Sequence, residues 1–163
     1  MQNIKNLLLI LVIAMSILSC EKDNAEPSEI KFKIDGVEHT YSGEADRSKL
    51  YTNNEFIGEY ALGISYDDYK NDFQIGLDIW HFEDEITEYF INTYSRSFNP
   101  YITIDGEYYR GENTGVGSIT ITELTNSRIK GEFDFKAKSD SNNVVVITEG
   151  FFDVPYNPNV DED

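Results

Sequence analysis

Aromatic and acidic side chains are the groups of this sequence best suited to bind a ligand. Trp80, Tyr89 and the adjacent Tyr108 and Tyr109 offer flat apolar rings with a polar edge, at little cost in side-chain entropy. We take these four residues as candidate ligand-binding residues that could stack on sugar rings. The 30 Asp and Glu residues leave open a hydrolase with a carboxylate pair, but no spacing singles out such a pair.

Familiar motifs of catalytic, metal and cofactor sites are missing from the sequence. The two histidines, His39 and His81, belong to no HExxH motif, and the single cysteine gives no zinc ligand set. The chain has neither a GxSxG nucleophile elbow nor a phosphate-binding loop. We therefore predict no catalytic residue, no metal and no cofactor, and favour a binding protein over an enzyme.

The N-terminus has the layout of a secretory leader. Lys5 supplies a positive start, and an apolar run of about twelve residues follows, which is short for a membrane span or a long core helix. We predict that residues 1–19 are a signal peptide that is removed, and that residues 20–28 are a tether. The string Ile17-Leu18-Ser19-Cys20 resembles the lipobox of bacterial lipoproteins, in which the cysteine receives a diacylglycerol.

The expected partner of the N-terminus is therefore a membrane, reached through a lipid on Cys20. The next residues, Glu21 to Asn24, resemble the charged tether that carries Bacteroidetes lipoproteins to the outer face of the outer membrane. We expect an outer-membrane lipoprotein of the cell envelope. Acyl burial contributes about 0.8 kcal/mol per CH₂, so two or three chains hold firmly.

The charge of the chain argues against nucleic acid as a partner. The formal net charge is −17, and the predicted leader contains one of the 13 Lys and Arg residues and no acid, so its removal gives −18. Such a chain repels phosphate backbones. We expect no nucleic-acid binding.

Period-2 alternation of apolar and polar residues indicates an all-β fold. From Arg128 to Lys138, residues such as Ile129 and Phe133 alternate with charged residues, and Val144 to Val154 shows apolar residues that we assign to one parity. Asp35-Gly36 and Asp105-Gly106 predict tight hairpin turns.

We predict one all-β domain over residues 29–156 and an acidic tail over residues 157–163. Consecutive hairpins favour an antiparallel sandwich of about nine or ten strands, with an up-and-down, lipocalin-like barrel as the alternative. A barrel would make the protein a candidate lipophile carrier.

The middle of the chain is harder to interpret. Residues 42–56 show no period, so we expect a long connection with a helical turn near Ala45 to Leu50. The following hairpin has an unusually smooth face, formed by Ala61, Gly63, Ser65 and Gly76. We expect this face beside Trp80 to be covered either by the connection or by a ligand.

Both ends of the domain show a family resemblance. The patterns Gly117-x-Ile119-x-Ile121-Thr122, Ile129-x-Gly131-x-Phe133-x-Phe135 and Val146-Ile147-Thr148-x-Gly150-x-Phe152-x-Val154-x-Tyr156 are similar to those of small Bacteroidetes lipoproteins of an uncharacterised family. The resemblance implies a location and a fold class, and it brings no activity or site residue.

These observations together predict a non-catalytic binding or adhesion module for a glycan, a peptide or a partner protein. An accessory subunit of an envelope complex is the alternative, ahead of the hydrolase and the lipophile carrier.

Overall fold

A computed structural model describes residues 28–52, 55–91 and 97–158, with side chains described except at 49–52 and 55–58. These residues form eleven strands and no helix. The strands are β1 (Glu29–Ile34), β2 (Val37–Tyr41), β3 (Glu44–Thr52), β4 (Glu55–Asp68), β5 (Phe73–Trp80), β6 (Glu88–Phe90), β7 (Ser97–Ile104), β8 (Glu107–Arg110), β9 (Gly117–Leu124), β10 (Arg128–Ser139) and β11 (Val144–Asn157).

Two Asp-Gly turns set the register of the hairpins that contain them. Asp35 and Gly36 have φ values of 48° and 88°, and Asp105 and Gly106 have values of 51° and 77°. Positive φ at both central residues is the signature of the type I′ turn, whose twist matches that of paired strands. The β1–β2 and β7–β8 hairpins predicted from these dipeptides are therefore confirmed.

Hydrogen-bonded pairings run around the molecule in a circuit. From β10 they pass to β11, β3, β4, β5 and β7, and they return to β10 through β8 and through β6 and β9. All pairings are antiparallel except β3 with β11 and β6 with β7. β3 pairs only with Tyr156 and Asn157 of β11. The β1–β2 hairpin pairs with the preceding part of β11, from Ile147 to Asp153. The all-β, mostly antiparallel prediction is confirmed.

Large apolar side chains fill the space that the strands enclose. The predicted alternation of β10 is confirmed, because Ile129, Phe133 and Phe135 are buried while the charged residues between them face outward. Phe98 of β7 meets Phe135 edge-on, with ring centroids 6.1 Å apart, although their strands are not neighbours in the sheet. Such pairs join strands that share no backbone hydrogen bonds, and they contribute beyond their buried area.

The predicted connection over residues 42–56 is wrong, because most of it is strand. β3 pairs along β4, so the segment lies beside the smooth face in the same sheet instead of covering it. Among the described side chains of β3, the inward positions are Ala45 and Arg47, a small residue and a charged one. Because neither is a large apolar residue, the sequence shows no period-2 pattern here that would have predicted a strand.

The single parity assigned to Val144 to Val154 is also wrong. Val145 and Ile147 are buried in the first half of β11, whereas Gly150 and Phe152 are buried in the second. The register with β10 shifts between these halves, and Glu149 has a φ of 53°. An extra residue at this bulge turns the following side chains to the other face.

Several predictions concern residues outside the described ranges. The signal peptide over 1–19, Cys20, all but the last residue of the 20–28 tether, and residues 159–163 of the tail belong there. Within the described ranges, the structure contains no helix with the length and apolar character needed to cross a membrane.

Candidate functional site

An open groove of about 210 Å³ lies on the outer face of the sheet where β5, β7 and β8 meet. We call it the β5–β7 groove. It is lined by Asp78, Trp80, Asn99, Pro100, Tyr101, Tyr108, Arg110 and Glu112. Pockets for drug-sized ligands hold roughly 300–1,000 Å³, so this groove suits one ring or side group of a longer ligand.

The β5–β7 register places the central residues of the groove. Asp78 and Trp80 are two residues apart on β5, so both side chains leave the same face of the sheet, about 7 Å apart along the strand. Asn99 pairs directly with Asp78 on the neighbouring strand. Asn99 is held by its own strand, because its Nδ2 donates to the Ser97 carbonyl at 3.3 Å.

The Asp105-Gly106 turn brings the second wall of the groove into position. It pairs Tyr101 with Arg110 and Thr103 with Tyr108, so Tyr101 and Tyr108 share the outer face. Their ring centroids are 5.7 Å apart and the rings are tilted by 48°. The hairpin therefore presents two tyrosine rings on the outer face, with Tyr101 opposite Gly76 in the middle of β5.

The small residues of the predicted smooth face have specific neighbours. The ring of Tyr101 lies across Gly76, where any Cβ atom would collide with it. A Cβ atom at Gly63 would instead make an ordinary contact of 3.5 Å with Oδ1 of Asp78. Gly76 is therefore needed for the position of Tyr101, whereas Gly63 leaves the side of Asp78 open.

Asp78 is the most unusual charged group of the groove. Within the described ranges, no hydrogen bond or ion pair reaches its carboxylate, and burial raises its pKa from 3.8 to about 6. A buried carboxylate is costly without a partner. Perturbed carboxyl groups of this kind cluster at functional sites, although structural networks also produce them.

Arg110 and the two tyrosines form the polar edge of the groove. Arg110 forms an ion pair with Glu112 at 3.6 Å, and its guanidinium lies 5.3 Å from the centre of the Tyr108 ring. Burial raises the pKa of Tyr101 to about 12 and also raises that of Tyr108. Both hydroxyls are therefore neutral hydrogen-bond donors at ordinary pH.

Two of the four candidate aromatic residues lie at the groove. Trp80 is 51% exposed and Tyr108 is 44% exposed, which leaves ring surface for a ligand.

Tyr89 and Tyr109 do not join them, and their choice as stacking platforms is corrected. Tyr89 is fully buried, with its ring 6.2 Å from that of Phe82. Tyr109 faces the core and donates its hydroxyl to Glu107 at 2.9 Å. Adjacent strand residues point to opposite faces, so Tyr108 and Tyr109 could never form one platform.

Sequence reasoning overlooked Asp78 and Tyr101, although each had a signal. Asp78 shares the strand parity of Trp80, and the Asp105-Gly106 turn fixes Tyr101 on the same face as Tyr108. No sequence signal showed that Asp78 and Trp80 lie next to Tyr101 and Tyr108. β5 and β7 are neighbours in the sheet, but β6 separates them in the sequence.

A second recess, of about 420 Å³, lies near the start of β3. It is lined by Ser42, Gly43, Glu44, Ser65, Tyr66 and Asp67. Its one aromatic ring, Tyr66, is stacked on Tyr41 at 4.4 Å, and Asp67 accepts a hydrogen bond from Gln74 at 3.0 Å. These groups are already engaged, so the β5–β7 groove is the better candidate site.

The part of the chain that the structure describes contains no group of three or more potential metal ligands.

Around Arg47, by contrast, the carboxylate of Asp84 is paired within the protein, although the buried Nε of Arg47 has no hydrogen-bond partner among the described residues. Arg47 binds Asp84 at 2.7 Å, and its guanidinium lies 3.6 Å from the centre of the Tyr60 ring. Tyr156 donates its hydroxyl to the same carboxylate at 3.1 Å. We call these four residues the Arg47 cluster. It ties the loop after β5 to β3, β4 and β11.

A family model described as a domain of unknown function, DUF6252, matches residues 31–155. The chain belongs to this family. The match includes every residue of the β5–β7 groove and of the Arg47 cluster except Tyr156. No curated protein and no solved structure matches the chain.

Proposed function

We propose that this protein is a lipid-anchored binding module of the cell envelope that recognises a glycan through the β5–β7 groove. The observation that carries the proposal is that the exposed Trp80 ring lines the same groove as Tyr101 and Tyr108, together with Asp78, Asn99 and Arg110. Flat apolar rings can stack on the apolar face of a sugar, and the polar groups can bond its hydroxyls.

The remaining parts of the proposal rest on the sequence. The lipobox-like string before Cys20 and the charged residues after it support lipidation and an outer-membrane location. Mass spectrometry of membrane-extracted protein should find the chain beginning at Cys20 with acyl chains attached. An unmodified N-terminus upstream of Cys20 would contradict the anchor.

Glycan binding is tested by array screening and titration calorimetry with the wild type and Trp80→Ala. We expect Trp80→Ala to weaken binding at least tenfold, or about 1.4 kcal/mol, because the stacking surface is lost. Tyr69→Ala is the matched control, since this tyrosine is 84% exposed and lies outside the groove. Equal binding by wild type and Trp80→Ala would contradict the groove as the site.

Hydrolysis by a carboxylate pair is the second candidate, and it has one specific observation in its favour. Asp78, with its pKa raised to about 6, lines the same groove as Glu112, so a proton donor and a carboxylate face one space. Purified protein should then cleave a glycoside, and Asp78→Asn should abolish cleavage. Inertness across a broad glycoside panel would remove this candidate.

A lipophile carrier needs an interior with room for its cargo. Ring pairs such as Phe32 with Phe133, 6.1 Å apart, and Phe98 with Phe135 instead occupy the space between the walls. We therefore place the ligand on the outer face of the sheet.

A further inference from the structure

Asp78 lies at the floor of the β5–β7 groove without a partner. On one side it faces the bare backbone of Gly63, and on the other it pairs in register with Asn99, whose amide is held by Ser97. In the described part of the chain, no hydrogen bond or ion pair reaches this carboxylate. Asp78 thus contributes an unpaired carboxylate to the lining of the groove, with Oδ1 over the backbone of Gly63.

Arg110, the cationic residue of the groove lining, forms no ion pair with Asp78. Arg110 is committed to Glu112 at 3.6 Å and lies over the Tyr108 ring. This leaves one uncompensated negative charge among the charged groups of the groove, in a chain whose formal net charge is −17. Charge complementarity therefore favours a ligand that brings a positive charge to this point.

The walls of the groove favour the same kind of ligand. Trp80, Tyr101 and Tyr108 line the same groove as the carboxylate, and aromatic faces attract cations through the negative charge of their π-systems. An organic ammonium group can contact the rings with its carbon skeleton and the carboxylate with its N–H groups. A bare metal ion has no carbon skeleton to pack on the rings, and the described residues include no group of three or more potential metal ligands.

We propose that the groove is specific for a glycan with a free amino sugar, whose ammonium group binds the Asp78 carboxylate while its ring stacks on Trp80. The N–H groups of Arg110 that its ion pair with Glu112 leaves over then bond the ring hydroxyls, which a lysine side chain would not offer. This inference rests on the proposed glycan-binding function and names its ligand class.

Three trisaccharide probes with β-1,4 linkages test the inference in titration calorimetry at pH 7. They are the glucosamine trimer with free amines, its fully N-acetylated counterpart, and cellotriose. We expect the free-amine trimer to bind at least tenfold more tightly than the other two. Acetylation removes the charge but keeps the sugar backbone, so the preference isolates the ammonium group.

Asp78→Asn should abolish that preference and leave all three trimers with similar affinity. Asp134→Asn is the matched control, because it removes the same charge from a carboxyl group on the outer face of β10, outside the groove. Non-specific attraction of a cationic sugar to an acidic protein would fall equally in both variants. Circular dichroism of each variant confirms that it is folded.

The pH dependence gives an independent readout. Asp78 titrates near pH 6, so the affinity for the free-amine trimer should fall about fivefold from pH 6 to pH 5, a range in which the sugar amine is already largely protonated. The charged and titratable groups around it are Arg110, Glu112, Tyr101 and Tyr108 in the groove, and Asp46 of β3 beyond Gly63. The two tyrosines stay neutral across this range because their pKa values are raised.

The outcomes separate the two proposals. Tight binding of the N-acetylated trimer or cellotriose that depends on Trp80, without preference for the amine, overturns the amino-sugar inference and leaves glycan binding standing. A preference for the amine that survives Asp78→Asn also overturns the inference. Absence of binding to all three trimers and to a glycan array overturns both proposals.

Discussion

The β5–β7 groove and the Arg47 cluster contain the same kinds of side chain, but their carboxylates are in opposite states of pairing. In the cluster, Asp84 binds Arg47 at 2.7 Å and accepts the Tyr156 hydroxyl at 3.1 Å. In the groove, Asp78 has tyrosines and an arginine nearby, but no bond between them and its carboxylate is present in the described residues. Paired groups stabilise the fold, whereas a carboxylate left open at the surface is available for a ligand.

The largest expected difference between the two regions is the loss of stability when the arginine of each is removed. Arg47→Met leaves Asp84 and Tyr156 without their cation, and we expect the free energy of unfolding to fall by about 2–3 kcal/mol. The melting temperature should drop by about 5–10 °C. Arg110→Met in the groove is the control, since its ion pair is about half exposed and should contribute less than about 0.5 kcal/mol. Equal losses in urea unfolding would mean that the two regions do not differ.

Asp78→Asn should act in the opposite direction and stabilise the ligand-free protein. The folded pKa of about 6 lies above the usual 3.8, so the penalty for burying the charge is absent below about pH 4 and fully present above about pH 6. We expect a gain of about 1–2 kcal/mol at pH 8 and no change at pH 4.

Urea unfolding curves of wild type and Asp78→Asn across this range check the sign. The wild-type curve should show stability falling from pH 4 to pH 6 relative to the variant. A variant that is less stable at pH 8 would indicate that Asp78 is a structural residue.

Two glycine substitutions are expected to have the smallest effects on stability. Gly76→Ala should displace the Tyr101 ring, lower stability by about 1 kcal/mol and weaken ligand binding several-fold. Gly63→Ala adds the same methyl group at a 3.5 Å contact, so stability should change by less than about 0.5 kcal/mol. Similar binding losses in both variants would contradict the role assigned to Tyr101.

Local patterns were enough to predict much of the fold. The strict alternation in β10 and the Asp-Gly turns are each determined by a few consecutive residues, and both are confirmed. β3 escaped prediction because Arg47 stands at an inward position, where its partners Asp84 and Tyr60 come from two other segments. The β11 bulge escaped because nothing in Thr148-Glu149 marks an extra residue.

The candidate site followed the same division between local and distant determinants. Strand parity alone places Asp78 with Trp80, and the second Asp-Gly turn places Tyr101 with Tyr108. The pairing of β5 with β7 brings these two halves together, and it depends on tertiary packing that no short stretch of sequence encodes.

The position of β11 has a consequence for how the chain reaches this structure. The last strand is the neighbour of β1, β3 and β10, so the first and last strands of the domain lie side by side. Contacts between distant parts of a chain slow folding, typically to the millisecond-to-second range in such all-β domains. The sheet cannot close until the final residues have been synthesised, and a nascent chain truncated before Val144 would lack the strand that joins both halves.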